Sequence, residues 1–197
     1  MLRLTSVVLL FALAASAQSK PTSPSKPAPS PETVYRNTAF GFRFRVPYGW
    51  VERTKEMQGD YDVAQGEVLL AVFERPPQAA GDSVNAAVVI ADQPAPNDPA
   101  LKSATDYLGT LTEMTTASGF KVDGDPSEVA IDSRRLARAD FSKALSEKVT
   151  MHQTTLVMLA KGKMVLFTFV ADNSTAVDDM IERLDFSAAR APAPAKK

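Results

Sequence analysis

The sequence predicts an α+β fold, a three-layer α/β/α sandwich around a mainly antiparallel sheet. Two observations carry this prediction. Several strand-like segments are joined by short turns, a spacing typical of hairpins and therefore of antiparallel pairing. The segment Met164–Ala171 is apolar at nearly every position, so other layers must cover both of its faces. Two amphipathic helices, far apart in the sequence, can supply those layers.

The first strand is predicted at Phe40–Val46, where apolar residues alternate with Arg43 and Arg45. A Pro-Tyr-Gly turn interrupts it, and Trp50–Thr54 is expected to return as the second arm of a hairpin. Trp50, at the start of that arm, is interpreted as an anchor in the core rather than as a stacking platform for a ligand.

Residues 55–65 are polar and are expected to form a loop. Gly66–Arg75 and Val84–Gln93 are the next predicted strands, separated by a turn rich in proline and glycine that cannot continue a ladder. A helix is then expected between Asp98, which can cap it, and Gly119, which can end it. Its apolar stripe recurs at three- and four-residue spacing: Leu101, Ala104, Leu108, Leu111 and Met114.

The second half is predicted to hold two hairpins, a helix and an edge strand. The hairpins are Glu128–Ile131 with Arg134–Phe141 and Glu147–Ala160 with Lys163–Asp172, the helix is Thr175–Leu184, and the edge strand is Asp185–Ser187. Asn173 and Ser174 are candidate caps for this helix. The folded domain is therefore expected to span residues 34–187.

Several segments of this domain resemble PsbP-like domains. They are the Tyr-Arg-Asn run at residues 35–37, the segment Phe40–Trp50 (FGFRFRVPYGW), and the closing strand-turn-strand-helix through Phe186. The resemblance implies the α/β/α sandwich that the photosystem-associated PsbP proteins share with a nuclear Ran-binding factor and many uncharacterised bacterial exported proteins. It implies no site residue, because members of the family do unlike things and a fold does not carry function.

Residues 1–17 are typical of a cleaved export signal. Arg3 supplies a positive charge, Val7–Ala15 is an unbroken apolar run, and an Ala-Ser-Ala ending predicts cleavage between Ala17 and Gln18. The apolar run is shorter than the roughly 20 residues that a membrane span needs. Because Gln18 stands where a lipoprotein signal has a cysteine, no lipid anchor is expected.

Residues 18–33 are expected to form a disordered linker, because five of the fourteen residues in Gln18–Pro31 are proline. Residues 188–197 are predicted to be a second disordered tail. The chain has no cysteine and a formal net charge of −1, so no disulfide is expected and nothing points to nucleic acid. No later segment is apolar enough to enter a membrane. The export signal therefore predicts a soluble protein outside the cytoplasm, in the periplasm or the medium.

The residues that most catalytic and metal sites need are scarce. His152 is the single histidine, and it is predicted to be a packed or half-exposed strand residue rather than a catalytic base. One histidine without cysteine does not supply a structural zinc site. Asp60 with Asp62, and Asp123 with Asp125, lack the spacing of a calcium loop. No catalytic, metal-binding or cofactor-binding residue, and no cofactor, is therefore predicted.

Arg134, Arg135 and Arg138 form the densest positive run of the chain. They could complete an anion-binding face together with three arginines from the first predicted strands: Arg43, Arg45 and Arg53. Alternation along a solvated strand already explains most of the run, and that interpretation is favoured.

The favoured hypothesis for function is an exported, soluble, non-catalytic domain that binds a protein or a small ligand outside the cytoplasm. The alternative enzyme is a secreted hydrolase that uses carboxylates alone, with Asp60, Asp62, Glu67 and Asp123 as its candidate acids. A third hypothesis is an accessory subunit of an envelope assembly, tethered through the proline-rich segment.

Overall fold

A computed structural model describes residues 33–60, 66–76, 83–99 and 101–187. These residues form strands and helices, of which the strands are β1 (Thr33–Asn37), β2 (Phe42–Val46), β3 (Val51–Glu52), β4 (Glu67–Phe73), β5 (Ala87–Pro94), β6 (Lys121–Val122), β7 (Ser127–Ile131), β8 (Arg134–Ala144), β9 (Thr150–Ala160), β10 (Lys163–Ala171) and β11 (Leu184–Asp185). The helices are α1 (Thr54–Asp60), α2 (Ala104–Ala117) and α3 (Ser174–Ile181).

The predicted signal, its cleavage site at Ala17 and Gln18, most of the linker and the C-terminal tail lie outside the described residues. The structure therefore leaves those predictions untested. Among the residues that it describes, no helix is both long and apolar enough to cross a bilayer.

The main sheet has eight strands in the order β3-β4-β5-β10-β9-β8-β6, with β7 also paired to β8. Every pairing between the described strands is antiparallel, as predicted. Strand β10 lies at the middle, between β5 and β9. Its residues Val165, Phe167 and Phe169 are buried on one face and Met164 on the other, which confirms the prediction of a central strand covered on both sides.

Helix α2 covers one face of the main sheet. Its residues Tyr107, Leu108 and Leu111 pack against Phe141 of β8 and Val157 of β9. The opposite face is covered by α3 and by a separate small sheet of three strands in the order β1-β2-β11. The three-layer sandwich is therefore confirmed, and one of its outer layers combines a helix with a small sheet.

Aromatic side chains join the small sheet to the main sheet. Phe42 of β2 meets Phe167 of β10 edge to face, with ring centroids 5.0 Å apart. Phe186, just after β11, packs edge-on against the same Phe167 at 6.0 Å. Such pairs add to the burial of apolar area, so they hold the small sheet firmly on the central strand.

The predicted hairpin between Phe40–Val46 and Trp50–Thr54 is wrong. Strand β2 pairs with β1 on one side and with β11 on the other, so neither of its edges is left for the segment after Trp50. Strand β3 instead pairs with β4 in the main sheet. Trp50 packs against the main core, as predicted.

The predicted loop at residues 55–65 is also wrong over its first part, because α1 forms at Thr54–Asp60. The helix has no apolar stripe that would mark it in the sequence. It is instead attached to β4 by polar contacts, in which the hydroxyl of Thr54 accepts from the Ala71 amide at 3.0 Å and Gln58 Oε1 accepts from the Val68 amide at 2.6 Å.

Helix α2 begins later than predicted. Ser103 caps it and forms a reciprocal capping box with Asp106, whereas Asp98 lies upstream of the helix. Met114 was predicted to lie on the inner face of the helix, but it is 59% exposed. Tyr107, which was not predicted there, is buried on that face. Helix α3 has the predicted cap, Asn173, whose side chain accepts from the Ala176 amide at 2.8 Å.

The turn between β9 and β10 places Lys161 and Gly162 at φ angles of 53° and 72°. Two successive left-handed residues are typical of a tight type I′ hairpin turn, which matches the twist of the flanking strands. The turn therefore lifts the side chain of Lys161 away from the ladder at one end of the central strand. At this end the main sheet and the small sheet together enclose a groove.

Candidate functional site

The groove lies between residues 38–41, which join β1 to β2, and the turn from β9 to β10. It consists of two adjoining cavities of about 700 Å³ and about 440 Å³, which share Asn37, Ala39, Phe40 and Lys161 as lining residues. We call the larger cavity the cationic arm and the smaller one the tyrosine arm. Cavities of roughly 300–1,000 Å³ are typical of ligand sites.

The loop at the mouth of the groove is held by its own hydrogen bonds. Asn37 accepts from the Phe40 amide through Oδ1 at 2.9 Å and from the Gly41 amide through its carbonyl at 2.9 Å. Gly41 has a φ of 72°, a left-handed conformation that favours glycine and returns the chain into β2. Asn37 also donates from Nδ2 to Tyr35 Oη at 3.2 Å. The loop is therefore arranged before any ligand arrives.

Three basic side chains from separate parts of the chain line the cationic arm: Arg36 of β1, Arg134 of β8 and Lys161 of the β9–β10 turn. All three are exposed. Among the described residues, none of these three side chains makes a hydrogen bond or an ion pair. Three positive charges that converge without a carboxylate partner raise the positive potential of the groove and attract anions.

The other basic residues near this end of the fold are compensated. Arg43 lines the same arm but pairs with Asp185. Arg138 donates to Asp140 at 2.9 Å and to Asp178 at 2.9 Å, and the bond to Asp140 is the main reason that the pKa of Arg138 is raised, against the opposing effect of burial.

The structure therefore divides the predicted arginine face. Within the run of three, Arg134 lies in the groove, while Arg135 is directed to Glu128 at 3.5 Å and Arg138 is fixed to α3. Arg45 donates to the carbonyl of Glu182 at 2.8 Å, and Arg53 pairs with Glu56 at 2.9 Å. The predicted solvated strand face describes Arg134 and Arg135, which are exposed, and not Arg138, which is half-buried and paired with two carboxylates.

The tyrosine arm contains Tyr35, Glu67, Leu69 and an ion pair between Asp92 and Lys163. Burial raises the pKa of Tyr35, the hydrogen bond from Asn37 opposes that rise, and the negative charges of Glu67 and Glu52 add to it. Its hydroxyl therefore keeps its proton at neutral pH and remains a donor.

The ion pair forms the back wall of the tyrosine arm. Asp92 is only 2% exposed, and its two carboxylate oxygens accept from Lys163 Nζ at 2.8 Å and 2.9 Å. Gly66 lies against the backbone of Asp92 and has a φ of +139°. A Cβ added to Gly66 would be 1.9 Å from the Asp92 carbonyl oxygen. The close approach explains why a glycine stands at this position.

The candidate acids for a hydrolase do not form a catalytic pair among the described residues. Glu67 lies opposite Asp92 in register, but both oxygens of Asp92 are held by Lys163 in a buried position. Asp123 follows β6, five strands across the sheet from β4, a separation of about 24 Å at the usual strand spacing. Glycoside hydrolysis requires two acids within about 10 Å. Asp62 and the Asp60 side chain lie outside the described residues.

His152 lies on β9 with 31% of its side chain exposed, as predicted. Its Nδ1 is 4.0 Å from Asp123 Oδ2, and Ser142 stands opposite it on β8. The Ser142 hydroxyl donates to Asp123 at 2.9 Å, so it points at the carboxylate and not at the imidazole that a nucleophilic serine would need as its base. In the part of the chain that the structure describes, no three acidic or histidine side chains come together as a metal site.

The groove was not predicted from the sequence. Its three unpaired cations come from β1, β8 and the β9–β10 turn, and only the packing of the small sheet on the main sheet brings them together. Two signals pointed toward it: the Lys161-Gly162 turn, predicted as a turn and not as part of a site, and the candidate anion-binding face, of which Arg43 and Arg134 line the groove.

No protein-family model matches the sequence, and no curated protein matches it. Among solved structures, cyanobacterial PsbP (CyanoP) from Synechocystis sp. PCC 6803 is similar with a TM-score of 0.52 at 14% identity, over 84% of this chain and 98% of that chain. LpqN from Mycobacterium tuberculosis, involved in cell envelope biogenesis, has a TM-score of 0.46 at 15% identity, over 80% and 86% of the two chains. The Ran-binding protein Mog1p from Saccharomyces cerevisiae has a TM-score of 0.47 at 7% identity, over 79% of this chain and 95% of that chain.

The fold of this chain is therefore PsbP-like, as the sequence resemblance implied. At 14% identity the likeness to CyanoP shows the fold alone. The function must be argued from the groove.

Proposed function

We propose that this protein is an exported, non-catalytic domain that binds an anionic ligand in the groove between β1–β2 and the β9–β10 turn. The observation that supports it is the contrast between two sets of cations. Arg43, Arg138 and Lys163 are paired with carboxylates, whereas Arg36, Arg134 and Lys161 have no carboxylate partner among the described residues. A fold gains no stability from bringing like charges together without partners, so their convergence favours a ligand that supplies the negative charge.

An NMR titration of the chain without its predicted signal tests the binding site. We expect citrate, a tricarboxylate, to shift the amide signals of Arg36, Arg134 and Lys161 in a saturable way. Signals of Lys121 and Lys148, exposed cations elsewhere on the surface, serve as the internal control. Equal shifts at all five positions would mean that citrate only screens surface charge, and the proposed site would be wrong.

Export is supported by the features of residues 1–17 and by the proline-rich segment that follows them. In this proposal the linker separates the cleavage site from the domain and leaves the groove accessible. N-terminal sequencing of the protein recovered outside the cytoplasm should show a chain that begins at Gln18. Recovery in the cytoplasm with Met1 retained would contradict export, and it would leave the binding proposal to its own test.

A further inference from the structure

Strand β1 is one of the two longest edge strands among the described residues. The edge strands β3, β6 and β11 have two residues each, whereas β1 and β7 have five. Proteins commonly protect sheet edges by keeping them short, because unpaired N–H and C=O groups attract another strand. No described residue pairs with the outer side of β1.

The backbone of β1 presents its unpaired groups at two residues. The Asn37 carbonyl accepts from Gly41 within the hairpin, so the backbone groups of Asn37 face β2. Because these groups alternate in direction along an antiparallel strand, those of Val34 and Arg36 face outward. The tyrosine arm lies along this strand, and the cationic arm lies at its C-terminal end.

We propose that the partner is an acidic peptide segment that adds to β1 as an extra strand and places its carboxylates beside Arg36, Arg134 and Lys161. This inference rests on the proposed function, since it names the kind of anion that the groove accepts. Main-chain hydrogen bonds to β1 supply affinity, and the groove beside the strand supplies specificity for side chains.

The second long edge, β7, lacks the combination of a free strand edge and an adjacent groove lined by unpaired cations. The β7 residue Glu128 accepts from Thr105 of α2 at 3.3 Å and pairs with Arg135, so a carboxylate and its partners already occupy that surface. An acidic strand would meet the negative charge of Glu128 there. Glu67 lines the tyrosine arm beside β1, but the three unpaired cations of the cationic arm outnumber it, so charge complementarity favours β1 over β7.

The experiment measures binding of the chain without its predicted signal to a capped synthetic hexapeptide of alternating glutamate and threonine. A copy methylated at every peptide nitrogen keeps the charge but has no backbone donor. Citrate is the third probe. We expect the unmethylated peptide to bind at least about tenfold more tightly than either of the others, because the methylated copy has no N–H to donate to the β1 carbonyls and citrate has no peptide backbone.

Two variants locate the peptide. Val34→Pro removes one outward N–H, which an edge strand tolerates, and should weaken peptide binding without changing citrate binding. The matched control is Ala130→Pro on β7, which should leave both affinities unchanged if it folds. Circular dichroism and the melting temperature verify folding. If Val34→Pro disrupts the fold, the methylated peptide still decides the question.

The outcomes separate this inference from the proposed function. If citrate and both peptides bind equally well, the groove is an anion site and strand addition is wrong. If none of the three probes binds, both proposals are wrong. If sedimentation shows that the chain alone forms a dimer that the peptide does not dissociate, a second copy occupies the β1 edge and the peptide proposal is overturned.

Discussion

Lys161 and Lys163 lie two residues apart, and their surroundings differ completely. Lys163 points to the buried carboxylate of Asp92 and donates from Nζ to both of its oxygens. Lys161 lies on an exposed turn, lines the groove and has no partner among the described residues. The first belongs to the folded structure and the second is available to a ligand. The same division runs through the arginines, where Arg138 is bonded to Asp140 and Asp178 while the Arg134 side chain has no partner among the described residues.

This comparison shows that Arg134, Arg135 and Arg138, which form a positive run in the sequence, do not form one surface in the structure. Alternation along β8 sends neighbouring arginines to different surroundings, and pairing then neutralises some of them. A cation that is bonded in the fold should therefore contribute to stability and little to binding. Arg36, Arg134 and Lys161, which have no such bonds among the described residues, should show the reverse. Each comparison that follows sets a residue held by close contacts in the fold against one in open surroundings.

The largest effect is expected at the glycine behind the ion pair. Gly66→Ala would place a Cβ 1.9 Å from the Asp92 carbonyl oxygen at a φ of +139°, so the backbone must move. We expect a loss of about 3 kcal/mol in the free energy of unfolding. Gly162→Ala, at a φ of +72° with nothing within 4 Å of the new Cβ, should cost about 1 kcal/mol. Urea unfolding of both variants measures the difference, and equal losses would contradict a rigid wall at Asp92.

The next largest effect is expected at the two lysines. Lys163→Ala leaves the Asp92 carboxylate buried without its partner, and since Lys163 itself is 42% exposed we expect a loss of about 2 kcal/mol. Lys161→Ala removes no contact and should stay within about 0.5 kcal/mol of the parent. Chemical denaturation at neutral pH compares them. A larger loss for Lys161 than for Lys163 would reverse the assignment of the two residues.

Arg138 and Arg134 should differ in their contribution to stability in the same direction as the two lysines, but by less. Arg138→Ala removes hydrogen bonds to Asp140 and Asp178 and should cost about 1–2 kcal/mol, reduced from the buried value because Asp178 is exposed. Arg134→Ala should be neutral within about 0.5 kcal/mol. Differential scanning calorimetry provides the measurement. Loss of stability in the Arg134 variant would show a structural role that its surroundings do not reveal.

The smallest effect is a pH dependence at Asp185. Burial raises the pKa of this residue, but hydrogen bonds from Ser187 and the ion pair with Arg43 outweigh burial, so the pKa lies below its usual value of 3.8. A folded pKa below the unfolded one stabilises the protein above about pH 4, and that contribution is lost as the pH falls through the folded value. Since both partners are partly exposed, the contribution is below about 1 kcal/mol.

Asp185→Asn should therefore be less stable than the parent at pH 7 and should approach it near pH 2.5. Urea unfolding at both pH values measures this convergence. Asp125→Asn, an exposed carboxylate in the turn before β7, is the control and should follow the parent at both pH values. A gap between Asp185→Asn and the parent that stays constant down to pH 2.5 would mean that the charge of Asp185 contributes nothing.

The elements that could be predicted are those whose signal is local. The alternation in β8, the two-residue turns after Ile131 and Ala160, and the continuous apolar run of β10 each specify their own structure. Helix α1 could not be predicted, because its contacts with β4 are polar and come from distant backbone. Strand β1 was missed because adjacent Val34 and Tyr35 break the alternation that marks a strand.

The groove was beyond sequence reasoning for a related reason. Pairing partners decide whether a basic residue is neutralised, and Arg43 finds Asp185 at a separation of 142 residues. The sequence placed Arg43 and Arg134 in one candidate face without showing that only one of them would be bonded. It also gave no reason to include Arg36. Charge compensation depends on tertiary neighbours, so the sequence alone does not show which cations remain unpaired.

The most direct test of the central claim compares two triple variants that change the net charge equally. The groove variant is Arg36→Ala, Arg134→Ala and Lys161→Ala, and the control is Lys121→Ala, Arg135→Ala and Lys148→Ala. Calorimetric titration with citrate should show at least about a tenfold loss of affinity for the groove variant and little change for the control, with both as stable as the parent within about 1 kcal/mol. Equal losses of affinity in the two variants would contradict a built anion site and leave only the general charge of the surface.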